Sequence, residues 1–287
     1  EKYLEAGLSN NMSESTMYSR KLYLGYLCQF TPKNELVRLG LKNIKKLTIS
    51  NFDDFKSAML TGAIGTKKNK SKNGLGIAMR SINGAFNFAE ERDLLDKNPC
   101  ELATKEIKED DVARFISEEE IDKILIGARH SPNGELAGII KVALYTGLRK
   151  GELLSLSREK IKDGHIFMLC QGTYKTKTRR SRLIPIHSEI AEILCKEEPG
   201  LVFKGIYRGK LVPWTRNLLT RAFRRAVKRA KIGRVRFHDL RHTFASMYLQ
   251  SGGTLADLMV IGGWTTMATL KKYTHFQRSY LTDKINN

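Results

Sequence analysis

Acidic residues are scarce: 30 Asp and Glu stand against 50 Lys and Arg, a formal net charge of +20 over 287 residues. That imbalance argues against an acidic or cation-binding surface and points to a polyanionic partner, either nucleic acid or an anionic membrane. Long apolar runs are also missing. None approaches the ~20 residues that cross a bilayer, and no signal-peptide pattern opens the chain. The membrane reading is therefore the weaker one, and a cytoplasmic protein acting on nucleic acid is expected. Cysteines are few and scattered, at Cys28, Cys100, Cys170 and Cys195. They form no CxxC pair and no Cys/His cluster at metal-ligand spacing, which excludes a disulfide framework and a zinc site. They read as buried or semi-buried free thiols in a reducing compartment. There is no internal repeat, no low-complexity tract and no cluster of carboxylates to hold a metal.

What is present is enough for two cores: 41% of residues are hydrophobic, and the length suits about two domains of roughly 100–200 residues. Residues Ser13 to Phe30 have helical apolar spacing with Ser13 as N-cap. Ile49 to Leu60 reads as a second helix, capped by Ser50 or Asn51 with Asp53 and Asp54 in its first turn. A basic glycine-rich loop with Lys67, Lys68, Lys70 and Lys72 leads into a helix that Asn98-Pro99 stops. Cys100 to Phe115 reads as a linker. Beyond it, Ser117-x-x-Glu120 is a capping box, and a helix through Glu135 to Thr146 ends at Gly147. Leu148 to Leu156 begins another. Between Gly164 and Ile186 the apolar period shortens to that of antiparallel strands. After a loop, Trp214 to Lys231 forms one basic amphipathic helix. The expected fold is mainly α with a small antiparallel sheet, divided at 1–105 and 106–287.

Phosphoryl transfer needs cations on the non-bridging oxygens, a nucleophile, an acid for the leaving oxygen, and alignment. Arg binds phosphate through a planar fork that stays charged, and a Tyr nucleophile stores the broken bond as a phosphotyrosine. The segment from Arg236 to His275 holds His238 and Arg241 one helical turn apart, then Trp264 and Tyr273. Together, TGLRKGELLSL at Thr146 to Leu156, the Lys-bearing hairpin ending in SRLIPI, HDLRHTFAS at His238 to Ser246, and GGW followed by Tyr273 resemble the tyrosine recombinase (phage-type integrase) family, in motif, order and spacing. The resemblance covers the second domain, and the helical first domain is similar to that family's core-DNA-binding domain.

The resemblance implies roles. Arg149 and Arg241 would clamp the scissile phosphate. Lys177 would protonate the leaving 5′-oxygen, with Lys175 as its rival on the same face of an extended strand. His238 would handle the tyrosine proton or hydrogen-bond a phosphate oxygen. Trp264 stands where the commonest family pattern has a second histidine, and an indole can donate one hydrogen bond but cannot shuttle protons. Tyr273 would be the nucleophile. Glu152 pairs with Arg149 or faces solvent, His242 falls outside the HxxR register and reads as packing, Tyr280 is too far along to fit the register, and no direct catalytic part is expected of His275. No cofactor or metal is implied. The implied partners are double-stranded DNA, gripped by both domains, a homo-tetramer on paired sites, and DNA-bending accessory proteins, with the tail from Phe276 to Asn287 docking on a neighbouring subunit. A type IB topoisomerase or a non-catalytic DNA-binding regulator are the alternatives. The chain begins at Glu1, which leaves an upstream arm-binding domain open.

Overall fold

In the computed structural model the described residues are 2–9, 12–35, 37–64, 72–105, 114–132, 134–168, 181–196, 198–207 and 209–274. Lys67, Lys68 and Lys70, both hairpin lysines Lys175 and Lys177, Cys170, His275 and the tail lie outside them, as does the side chain of Lys72. The chain divides into two compact units, Glu1–Asp111 and Val112–Asn287.

Among its described residues the first unit has helices and no strand: α1 Lys2–Ser9, α2 Glu14–Gln29, α3 Ile49–Thr61, α4 Lys72–Glu90 and α5 Cys100–Lys105, with short 3-10 turns between α2 and α3. Ser13 caps α2 by accepting from the Thr16 amide at 3.3 Å. In α3 the cap moves to Thr48, whose amide donates to the Asn51 side chain at 3.0 Å, so Asn51 serves three residues into the helix instead of at its start. Phe52, Phe55 and Met59 on α3 and Met79, Ile82 and Phe86 on α4 follow the three-and-four spacing that gathers apolar side chains on one face. They are buried together in one core. Asn98-Pro99 does not stop α4, which ends at Glu90, before the left-handed turn at Asp93. The pair opens α5 instead: Asn98 Oδ1 accepts from the Cys100 amide at 2.8 Å, with Pro99 where a missing N–H costs nothing. Part of the expected linker is thus a helix packed on α3 and α4. Cys100 is buried, but Cys28, off the inward stripe of α2, and Cys195, the C-cap of α9, are exposed.

The second unit runs α6 Glu118–Arg129, α7 Leu136–Thr146, α8 Lys150–Leu154, β1 Ile161–Lys162, β2 His165–Met168, β3 Arg182–Pro185, α9 Ser188–Leu194, β4 Lys204–Tyr207, β5 Lys210–Pro213, α10 Arg216–Arg229, α11 Asp239–Gln250 and α12 Leu255–Gly262, ending in a 3-10 turn at Lys271–Tyr273. The capping box at Ser117 and Glu120 is present with both bonds. Helix α7 is the central element, nearly all apolar and packed by α6, α9, α10 and α11. Each Leu or Ile it buries contributes roughly 1.5–3 kcal/mol. The three-stranded antiparallel sheet has the order β1-β2-β3, with Ile166 opposite Ile184 and Met168 opposite Arg182. The loop expected after α9 contains a second hairpin, β4-β5. Helix α10 buries Leu219, Ala222, Phe223 and Ala226 and leaves Arg216, Arg221, Arg224, Arg225 and Lys228 exposed.

Candidate active site

Helix α7 ends at Gly147 with φ of 61°. A side chain there would also strike the Phe244 ring of α11, at 2.3 Å from a Cβ, so only glycine lets α7 and α11 come this close. The chain then reverses and Arg149 becomes the N-cap residue of α8. Glu152 lies in the first turn of that helix, where a carboxylate suits the dipole. It accepts from the Arg149 amide at 2.9 Å and from Arg149 Nη1 at 3.1 Å. From the sheet, Arg182 approaches the same carboxylate with both ends of its fork, at 2.7 and 3.2 Å.

The two arginines also tie down the end of α12. Arg182 Nε donates to the Ile261 carbonyl at 3.0 Å, and Arg149 Nη2 to the Gly263 carbonyl at 2.7 Å. Cations at a helix C-terminus satisfy its orphan carbonyls. Burial alone would raise the Glu152 carboxyl, but hydrogen bonds and charge from Arg182, then Arg149, outweigh it and hold the group below its ordinary value. A solvent-facing Glu152 is therefore excluded, and Arg182, unassigned from the sequence, is a buried member of the network.

Arg241 sits in the first turn of α11 and is 3% exposed. Its Nη1 donates to the Gly147 carbonyl at 2.5 Å, and its guanidinium lies 3.8 Å from the centroid of the Trp264 ring. Its Nη2 is buried with no hydrogen-bond partner among the described residues. Burial and the nearby charge of Arg149 push the Arg241 pKa down, yet a guanidinium keeps its proton in proteins. A buried, charged donor without an acceptor is costly, by several kcal/mol if left unmet. An anionic oxygen would complete it. Trp264 thus functions here as a face for the arginine, and Gly262 makes room for its indole, since a Cβ there would lie 1.7 Å from the ring.

Tyr273 is fully buried, in a small apolar cluster with Phe244, Leu249, Leu258 and Leu270. Trp264 and Phe115 stand edge-on to its ring at 6.2 and 6.3 Å between centroids. Burial raises the phenol above its ordinary pKa, with the Arg241 charge opposing, so the hydroxyl is protonated at rest. Its Oη is hydrogen-bonded to Nδ1 of His242. His242 is consequently more than a packing residue. The ring of His238 packs edge-on against His242 at 4.9 Å and keeps an exposed side. Desolvation, then the charges of Arg241 and Lys272, push His238 down to about 4. Desolvation, Lys272 and the His238 ring do the same for His242, also to about 4. Both imidazoles are neutral near pH 7.

Arg149, Arg241, Trp264 and Tyr273, far apart in sequence, meet here, with His238 at the edge; Lys177 lies outside the described residues. Among the described residues no three His, Cys, Asp or Glu side chains gather as metal ligands. Chemically, the site offers a guanidinium with an open donor, a second one fixed by carboxylate and carbonyl, neutral imidazoles, and a phenol.

The description "Phage integrase family" matches residues 114–279. The integrase of Haemophilus phage HP1 is 26% identical over 260 residues, 88% of this chain and 71% of that protein. A tyrosine recombinase of Thermosipho africanus is 27% identical over 241 residues, 82% of each chain. The chain spans only about half of other integrases it matches, 46% for phage 186 and 56% for phage P2. The fold is shared with lambda integrase. A dimer of lambda integrase bound to a COC′ core site aligns at a TM-score of 0.72 and 17% identity over 95% of this chain and 93% of that one. A tetramer bound to a Holliday junction aligns at 0.68 and 18% over 92% and 76%. With its family match covering more than half of its length and its arginines, tryptophan and tyrosine gathered in one site, the chain belongs to the phage integrase family of tyrosine recombinases.

Proposed function

We propose that this chain cuts and rejoins double-stranded DNA at specific sites through a covalent 3′-phosphotyrosine. The observation that carries the reading is the open Nη2 of buried Arg241, beside Trp264 and within electrostatic reach of Tyr273. A scissile phosphate seated there would supply the missing acceptor, with Arg149 on another non-bridging oxygen and His238 hydrogen-bonding at the exposed rim. Donors aimed at developing negative charge in a dry site are the largest single source of acceleration in such reactions. Tyr273 Oη attacks phosphorus, the phosphorus–5′-oxygen bond breaks, and Lys177, in the sequence between β2 and β3, gives the 5′-oxygen its proton. A 5′-hydroxyl of the partner strand then attacks the phosphotyrosine, passing through a Holliday junction. Residues 1–105 would act as a core-DNA-binding domain and 106–287 as the catalytic one. The working form would be a tetramer on paired sites, with bending proteins as accessories. Lambda integrase, which shares the fold, is solved on DNA both as a dimer and as a tetramer, which supports that assembly.

The test is covalent capture. Incubated with a pool of randomised, nicked duplexes, the wild-type chain should retain DNA through denaturation and enrich a sequence. Two copies of that sequence on one plasmid should then recombine. Relaxation of supercoils by a monomer without recombinant product would favour a topoisomerase, and absence of any adduct would favour a DNA-binding regulator.

A further inference from the structure

His242 touches the atom that would react. Among the described residues, the buried hydroxyl of Tyr273 is hydrogen-bonded to His242 Nδ1 and lies within reach of the charge of Arg241. An arginine has donors and no acceptor, so between these two groups the phenol can donate only to the imidazole. With the phenol donating, His242 Nδ1 is the unprotonated nitrogen and its proton sits on Nε2, the tautomer a general base requires. His238, the residue that the sequence pattern offers for the tyrosine proton, packs its ring on His242 and reaches the rim of the site. The rigid frame favours the same assignment. Arg241 and His242 are consecutive on α11, so the residue that would grip the phosphate and the residue on the phenol share one backbone.

Resting on the reading of Tyr273 as nucleophile, we propose that His242 is a further catalytic residue, the general base of the cleavage step. As Oη forms its bond to phosphorus, the hydroxyl proton passes to His242 Nδ1, and the 5′-oxygen leaves with a proton from the acid on the other side of the phosphate. In rejoining, the phenolate departs and the imidazolium returns the same proton to Oη, as reversibility requires. His238 is left free to hydrogen-bond a phosphate oxygen.

The experiment separates base from acid. The duplex recovered by covalent capture is made in two forms, one natural and one with sulfur replacing the bridging 5′-oxygen. A thiolate leaves without being protonated, so the sulfur form needs the base and not the acid. His242→Ala should form adduct roughly 10²–10⁴-fold more slowly on the natural duplex, the usual contribution of general acid–base catalysis, while binding it as the wild type does. It should stay slow on the sulfur duplex, where Lys177→Ala recovers. His242→Asn places an amide oxygen near Nδ1, keeping a hydrogen-bond acceptor and the packing but unable to take a proton, and should be slow on both. Wild-type rates in His242→Ala, recovery of that variant by sulfur, or wild-type rates in His242→Asn would each overturn the assignment. Tyr273→Phe must give no adduct on either duplex; an adduct there would contradict the nucleophile itself, independently of His242.

Discussion

The start of α8 and the start of α11 both present an arginine to the same site, and they are built in opposite ways. At α8, Arg149 gives one N–H to Glu152 and one to the Gly263 carbonyl, two of the five its guanidinium carries, and Arg182 completes the carboxylate from behind. At α11, Arg241 is more deeply buried and keeps Nη2 unmet, stacked on Trp264 and flanked by neutral histidines. The first arrangement is anchored and holds the framework, joining α8, β3 and α12. The second is open and has capacity for a ligand. The difference separates stability from chemistry within a single pocket: substitutions behind α8 should weaken the fold, and substitutions at α11 should weaken the reaction.

Arg182→Leu would break the comparison most severely. Removing one member of a buried ion pair leaves a charge uncompensated, and the expected loss is about 3–5 kcal/mol of unfolding free energy, read by urea denaturation. Loss of less than about 1 kcal/mol would mean that Arg149 alone suffices to hold Glu152. Arg241→Ala should do the reverse. Adduct formation should fall by about 10²–10³, as when one preorganised donor is removed, with a much smaller change in stability than Arg182→Leu. Equal damage to stability would erase the distinction between holder and ligand site.

A smaller effect comes from the histidines. His242 has a folded pKa of about 4, below its unfolded value of about 6.5. Native His242 is therefore neutral while the unfolded chain takes up a proton. Its contribution is present in full above about pH 6.5 and is lost as pH falls from there towards about 4, since stability drops wherever the unfolded state binds more protons. Thermal melts from pH 7 to 4.5 should show this decline, shallower in His242→Asn. An equal slope in that variant would show that other groups carry the acid sensitivity.

The sequence was informative about this site to differing degrees, for physical reasons. Gly147 could be read as a helix stop because a left-handed C-cap needs a residue without Cβ, and the antiparallel pairing of β2 with β3 followed from a period of two. Arg182 was missed although its signal existed. Alternation in RLIP puts Arg182 on the same face as Ile184, and an arginine on a buried face needs a carboxylate. Nothing local says that the carboxylate is Glu152, because the partner arrives from another element. His242 is spaced four residues from His238, so the two share a helix face, but its partner Tyr273 comes from beyond the end of α12. The β4-β5 hairpin was hidden because its strands are short and largely solvent-facing, leaving no clean alternation to read. Local rules announced turns and caps. Contacts closed through space did not announce themselves.

The most direct test of the account is where the DNA becomes attached. Wild-type adduct formed on the captured duplex, digested with protease and nuclease and read by mass spectrometry, should carry a 3′-phosphonucleotide on the peptide containing Tyr273 and on that tyrosine. Attachment at any other residue, or a 5′-linked nucleotide on Tyr273, would contradict it.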